Sequence, residues 1–259
     1  IRGEVGAELF TQYTLGSGFY IDGRVRKSVV GNFDKILRRS DSVLPHVRSD
    51  HDIYGRDGDP GIDQLTITKV NKIIPSVYGK LTAGYLEKMF AGVSGEILWK
   101  PISSSLGIGF ELSQVQQRNF DMLWGLQSYQ VTTGHLSGYY FFKNGFMAQL
   151  DAGQYLAGDR GYTLRLARKF GNGWSMGAYA TVTNVPFEKF GEGSFDKGLS
   201  LKIPLDWSLG SPNRTISKIE FNVMTRDGGA KLHTPYKLHK YLFNNDRNAV
   251  YNEAGRLWK

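Results

Sequence analysis

The stretch "FEKFGEGSFDKG" at 187–198 places three carboxylates, Glu188, Glu192 and Asp196, within one short segment. Paired carboxylates can work as general acid and base, and they hydrolyse glycosidic bonds when suitably spaced. Acidic residues in a loop between strands are more often simply solvated. Gly193 and Gly198 have the spacing of the two glycines in a phosphate-cradling loop, but Leu199 stands where that loop needs Lys. A second acidic stretch, "RSDHDIYGRDGDPGID" at 48–63, opens like a calcium loop with Asp50 and Asp52. Its twelfth position is Gly61 rather than Glu, and turn chemistry explains "DGDPG", with Asp57 and Asp59, without an ion. The five histidines are His46, His51, His135, His233 and His239. None falls in an HExxH pattern, no Ser sits in a GxSxG elbow, and no Cys is present to supply a thiolate or a disulfide. His135, in "TTGHLSG", reads as a lumen or girdle residue. The residues therefore predict no catalytic site, no metal site and no cofactor.

The elements that position these residues are strands. In "GLSLKIPLDWSL", Leu199, Leu201, Ile203, Leu205, Trp207 and Leu209 alternate with Ser200, Lys202, Pro204, Asp206 and Ser208. One face is apolar and the other polar over about ten residues, the length a tilted strand needs to cross a bilayer. "SKIEFNVMT", "GYTLRLARKF" and "WSMGAYATV" repeat the pattern. With eight further segments near 4–13, 18–29, 63–72, 77–89, 92–100, 106–117, 129–142 and 146–156, it predicts about twelve strands. Turn residues at 15–18, 100–105, 142–146, 170–174 and 210–214 mark short connections. The other junctions are mostly longer, at 30–62, 117–128 and 184–197, with only "LAGDRG" at 156–161 compact. Short turns at one end and long loops at the other suit an outer-membrane barrel. A soluble sandwich shares the alternation, so the polar face weighs in the choice. It carries Arg24, Arg26, Lys80, Glu96, Glu111, Asp151, Arg165, Lys202, Lys218 and Glu220, which suit a water-filled lumen. Tyr13, Trp99, Phe110, Phe170, Trp174 and Trp207 suit an interfacial girdle. Pro204, lacking an N–H, predicts a bulge.

Composition agrees with strands and tight turns, with 32 Gly and 13% aromatics. The net charge of +8 invites an anionic polymer, yet the densest basic group, "KILRRS" at 35–40, is too short for a nucleic-acid arm, and no nucleic-acid partner is expected. No run of residues is long and apolar enough for a membrane helix. The chain opens at Ile1 without Met and reads as part of a longer product.

The segment "AGQYLAGDRGYTLRLARKFGNGWSMGAYATVTNVPFEKFGEGSFDKGLSLKIPLD" resembles the signature region of the YjbH/GfcD family. "LPHVRSD" at 44–50, "VYGKLTAGYLEKMFAGVSGEILWKP" at 77–101, "VQQRNF" and "TTGHLSGYY" match it too. These are outer-membrane proteins encoded with exopolysaccharide and capsule genes in Gram-negative bacteria. The resemblance implies an outer-membrane β-barrel assisting polysaccharide export, in the C-terminal of two barrel-forming regions.

The expectation is thus an all-β, antiparallel transmembrane β-barrel of about 12–14 strands over 1–227, with a C-terminal extension at 228–259 offering one further strand at 248–258. The strand count puts both chain ends on the long-loop side, so a missing segment or partner chain should complete the sheet. The expected role is a conduit or docking scaffold for exopolysaccharide, working with polysaccharide, outer-membrane lipid and further proteins of the export system. A barrel-borne enzyme acting on polysaccharide or lipid, and a soluble glycan-binding sandwich, are the rival readings. The stretch at 187–198 reads as a cap or docking loop. Gly191 and Gly193 let it fold back, Phe187, Phe190 and Phe195 pack, and Glu188, Glu192, Asp196 and Lys197 make polar contacts.

Overall fold

The computed structural model describes residues 4–31, 42–142, 144–170, 174–186, 196–204, 218–222 and 227–244. Twelve strands form one antiparallel sheet in strict chain order. They are β1 (Glu4–Gly16), β2 (Phe19–Gly31), β3 (Gly61–Ile74), β4 (Val77–Tyr85), β5 (Phe90–Trp99) and β6 (Leu106–Arg118). After these come β7 (Leu126–Phe141), β8 (Phe146–Gln154), β9 (Arg160–Lys169), β10 (Ser175–Thr183), β11 (Asp196–Pro204) and β12 (Lys218–Asn222). Two seven-residue helices, α1 (His51–Asp57) and α2 (Leu238–Asn244), lie outside the sheet. No described helix is long and apolar enough to cross a membrane.

Two-residue periodicity forms the strands, and their two faces are inverted relative to a soluble sandwich. Ile97, Phe110 and Leu136 lie side by side across β5, β6 and β7 and stand 50, 49 and 57% exposed. On the opposite face, Thr68, Thr82, Ser94, Ser113 and Thr133 form a row from β3 to β7, none more than 2% exposed. One register step away, Lys80, Glu96, Glu111 and His135 form a second polar row, buried except for the half-buried Glu111. Apolar groups thus point outward and polar groups inward, as in a membrane barrel wall.

The first hairpin shows why the turns are tight. Gly16, Ser17 and Gly18 all take positive φ, and a Cβ on Gly18 would lie 2.1 Å from the Val70 carbonyl oxygen. Connections at the opposite end of the strands are longer at 32–60, which contains α1, and at 119–125 and 184–195. Those at 86–89 and 155–159 are compact, so long loops do not fill that end throughout.

Two local expectations need correction. Pro204 pairs with Lys218 in continuous register as the last residue of β11, with no bulge. A strand end does not need the missing N–H. Phe110 sits in the middle of the apolar band between Ile97 and Leu136, rather than at its rim. Trp99 ends β5 and Phe170 follows β9 at the short-turn end, beside Tyr140, Phe142 and Phe146, and the Arg168 guanidinium lies 4.7 Å from both the Phe146 and Phe170 rings; Trp207 lies outside the described residues.

The sheet is not closed by its terminal strands: no pairing joins β1 to β12 among the described residues. It is curved nonetheless. Gly229 lies against Thr181 of β10, and seven residues later the Tyr236 hydroxyl donates to Asp22 of β2 at 2.5 Å. Side chains on one face from β2 to β10 are nearly sealed from solvent, with Asp22, Thr68, Thr82, Ser94, Asp151 and Thr181 all at 0–1% exposure. Laid flat, those strands would span about 38 Å, far more than one extended segment can cover. The wall therefore curls around the segment, with the polar rows on its concave side.

Candidate functional site

The functional candidate is this concave face together with residues 227–243, which lie across it. The segment enters at the long-loop end. There Asp227 Oδ1 accepts from the backbone N–H groups of Arg48 and Ser49 at 2.7 and 2.9 Å. Arg48 binds Glu87 in the β4–β5 turn through both Nη groups, at 2.7 and 3.0 Å, and donates to the Lys231 carbonyl at 2.7 Å. His233 completes the clasp, its backbone N–H donating to Glu87 Oε2 at 3.1 Å. Burial alone would raise the Glu87 carboxyl, but Arg48 and His233 outweigh it and hold the group at about 2. An apolar cluster backs the clasp, joining Ala230 and Leu232 to Val47, Tyr54, Leu86 and Met89.

Below the clasp the segment crosses the polar rows. Lys231 pairs with Asp151, and Lys237 with Glu111. Lys80 makes an ion pair with Glu96 at 2.9 Å and also donates to Thr234 Oγ1 and the Pro235 carbonyl. The Leu238 backbone N–H donates to Glu96 Oε1 at 3.0 Å, and the Gly229 N–H to Asp159 Oδ2 at 2.9 Å. Gly229 takes φ +73°, and a Cβ there would meet Thr181 at 2.6 Å, so this entry point needs glycine. At the short-turn end α2 buries Leu238 and Phe243 against Leu98 and Tyr139. His239 stacks on Tyr139 with ring centroids 4.6 Å apart, and Phe243 on Phe141 at 3.6 Å.

Of the expected lumen residues, Lys80, Glu96, Glu111 and Asp151 are thus brought together beneath this segment. Arg26 pairs with Asp63 at 3.6 Å, and Arg24 with Glu8 at 3.5 Å in a more exposed position. Arg165 lies 5.3 Å from the Tyr179 ring. Lys202 is half-buried on the face of Ser200, opposite Glu220 in the register, while Lys218 stands opposite Pro204. The side chains of Lys218 and Glu220 lie outside the described residues. So do Phe187, Glu188, Phe190, Gly191, Glu192, Gly193 and Phe195, most of the expected cap. Asp196 is buried at the start of β11, 3.5 Å from the Tyr179 hydroxyl, and Lys197 is exposed beside it. In the Asp-rich loop, Asp57 is paired with Arg56 at 2.6 Å and Asp59 accepts from the Ser28 amide at 2.7 Å. His135 is buried on the concave face, its ring 4.7 Å from that of Tyr155.

Sequence reasoning missed Arg48, Glu87, Asp22 and the donors on 229–238. One signal was available: "LPHVRSD" stood out as a block with no role, and it is half of the clasp.

The sequence profile described as "Exopolysaccharide biosynthesis protein YbjH", of the YjbH family, matches residues 1–243. This chain belongs to the YjbH exopolysaccharide biosynthesis family. A family relative from Escherichia coli (strain K12), "Uncharacterized lipoprotein YjbH", is 34% identical over 94% of this chain. The chain spans 37% of that relative's length. Among solved structures, OmpT (in-vitro folded), an outer membrane protein of Vibrio cholerae, overlaps 77% of this chain and 73% of its own. The TM-score is 0.32 at 11% identity, and a likeness that low carries no argument. In this chain the clasp gives "LPHVRSD" a physical role: it fixes where the inner segment enters the sheet.

Proposed function

We propose that this YjbH-family chain forms part of an outer-membrane wall in an exopolysaccharide secretion system, and that it docks or guides polymer without transforming it. The observation that carries the membrane reading is the inversion of faces, since a continuous band of half-exposed Ile, Leu and Phe backed by buried ions suits lipid and not water. Family membership supports the exopolysaccharide pathway. The seat of residues 227–243 across the concave face favours a docking scaffold over a permanently open conduit. A non-enzymatic role fits the carboxylates of that face, which are engaged by Lys, Tyr and backbone donors.

The test uses the full-length protein. The expected results are migration that changes on heating in detergent, loss of secreted polymer on deletion, and restoration on complementation. Purified protein should release no sugar from the polymer. Fractionation with soluble proteins, or secretion unchanged by deletion, would overturn the reading.

A further inference from the structure

The contacts of residues 229–243 share one chemistry. The segment presents donors to six wall carboxylates: the Gly229 N–H to Asp159, Lys231 to Asp151, the His233 N–H to Glu87, the Tyr236 hydroxyl to Asp22, Lys237 to Glu111 and the Leu238 N–H to Glu96. It also lays three rings on three wall rings. Tyr236 lies on Tyr20 at 5.2 Å, His239 on Tyr139 and Phe243 on Phe141. Flat faces on aromatic platforms, together with donors to carboxylates, are what a chain of pyranose rings offers, because its C–H faces stack and its hydroxyls donate.

Two further observations distinguish this occupant from the strands of the wall. Among the described residues, one backbone–backbone hydrogen bond joins the segment to the wall, from the Leu156 N–H to the Ala230 carbonyl. The segment therefore takes no part in the sheet ladder. The polar fit is also unfinished: buried Asp22 Oδ2 and Asp159 Oδ1 have no hydrogen-bond partner among the described residues. Spare buried acceptors are costly, and hydroxyl donors relieve that cost.

We propose that the concave face is a glycan-binding surface, and that residues 229–243 are a stand-in held on it until a hydroxyl-rich polysaccharide displaces them. This rests on the exopolysaccharide reading above and adds the binding residues and the form of regulation. The wall carboxylates offer acceptors, and Tyr20, Tyr139 and Phe141 offer platforms. The segment lowers the apparent affinity in proportion to the fraction of time it is seated.

The probe is size-fractionated exopolysaccharide from the medium of the producing cells, added to full-length protein in detergent. Fragments should speed amide exchange within 229–243 at least tenfold and leave β4–β8 unchanged. Lys231→Ala with Lys237→Ala should bind fragments at least tenfold more tightly than wild type, whereas Tyr139→Ala and Glu111→Gln should bind at least tenfold more weakly. Should the double lysine variant fail to assemble, Phe243→Ala loosens the other end and should tighten binding likewise. Assembled loosened variants that bind no better than wild type, or binding without faster exchange, would overturn the proposal. Loss of secretion on deletion would in that case leave the export reading standing.

Discussion

The guanidinium of Arg48 joins elements far apart in sequence: it meets Glu87 in the β4–β5 turn and the carbonyl of Lys231 in the inner segment, while its amide reaches Asp227. Both charged side chains are nearly buried, at 10 and 11% exposure. Removing one partner strands the other charge, so Arg48→Ala should cost about 3–5 kcal/mol, read as a lowered unfolding temperature in detergent and tryptic cleavage after Lys231. Acid should act on the same contact. The Glu87 pKa in the folded protein, about 2, lies below the ordinary carboxylate value of 4.5. Its stabilisation is therefore complete above about pH 4.5 and is lost as pH falls toward about 2. Glu87→Gln should flatten the pH dependence of segment protection in that window, and an unchanged acid profile would show that another group controls it. These residues were illegible as a site because their separations, 39 and 183 for the contacts of Arg48, follow no period. The expected lumen residues were legible because each sits on the polar phase of an alternating strand.

At the scale of the element, alternation located all twelve strands, since a one-residue slip would turn every apolar group inward. Boundaries were less legible: β4 stops at Tyr85 rather than 89, where Leu86 and Met89 turn inward to the apolar cluster under the clasp. Helix α2 gave no usable signal, being only seven residues long and held by tertiary contacts with Tyr139 and Phe141. The outer band makes a graded prediction. Leu136 lies in the middle of the band, and Leu136→Arg should cost about 2–4 kcal/mol there. Gln130 occupies the same face of β7 toward the long-loop end, and Gln130→Arg should cost about 0–1 kcal/mol. Refolding titrations into lipid vesicles read both. Equal costs at the two positions would remove the lipid assignment of this face.

At the scale of the whole molecule, strand parity leaves the start of β1 and the end of β12 at the long-loop end. The inner segment then carries the chain back to the short-turn end without forming a strand among the described residues. The further strand expected at 248–258 lies outside the described residues. No local pattern announces the return, because it depends on a concave wall already in place. In lipid the edge strands carry a cost. About half of the N–H and C=O groups of β1 point away from β2, and each one unmet in hydrocarbon costs several kcal/mol. A wall that is curved, lipid-facing and not closed by β1 on β12 should therefore be completed by strands from elsewhere in the polypeptide or from a partner chain. The chain has no Cys, so introduced pairs report cleanly. Cysteines scanned along Leu9, Thr11 and Tyr13 of β1 against Ile219 and Phe221 of β12 should form no disulfide in membranes. The same β1 positions should cross-link to a strand outside residues 1–259, identified by mass spectrometry of the linked peptides. Efficient β1–β12 disulfides in the assembled protein would mean that these twelve strands close on themselves, and the need for a completing strand would fall away.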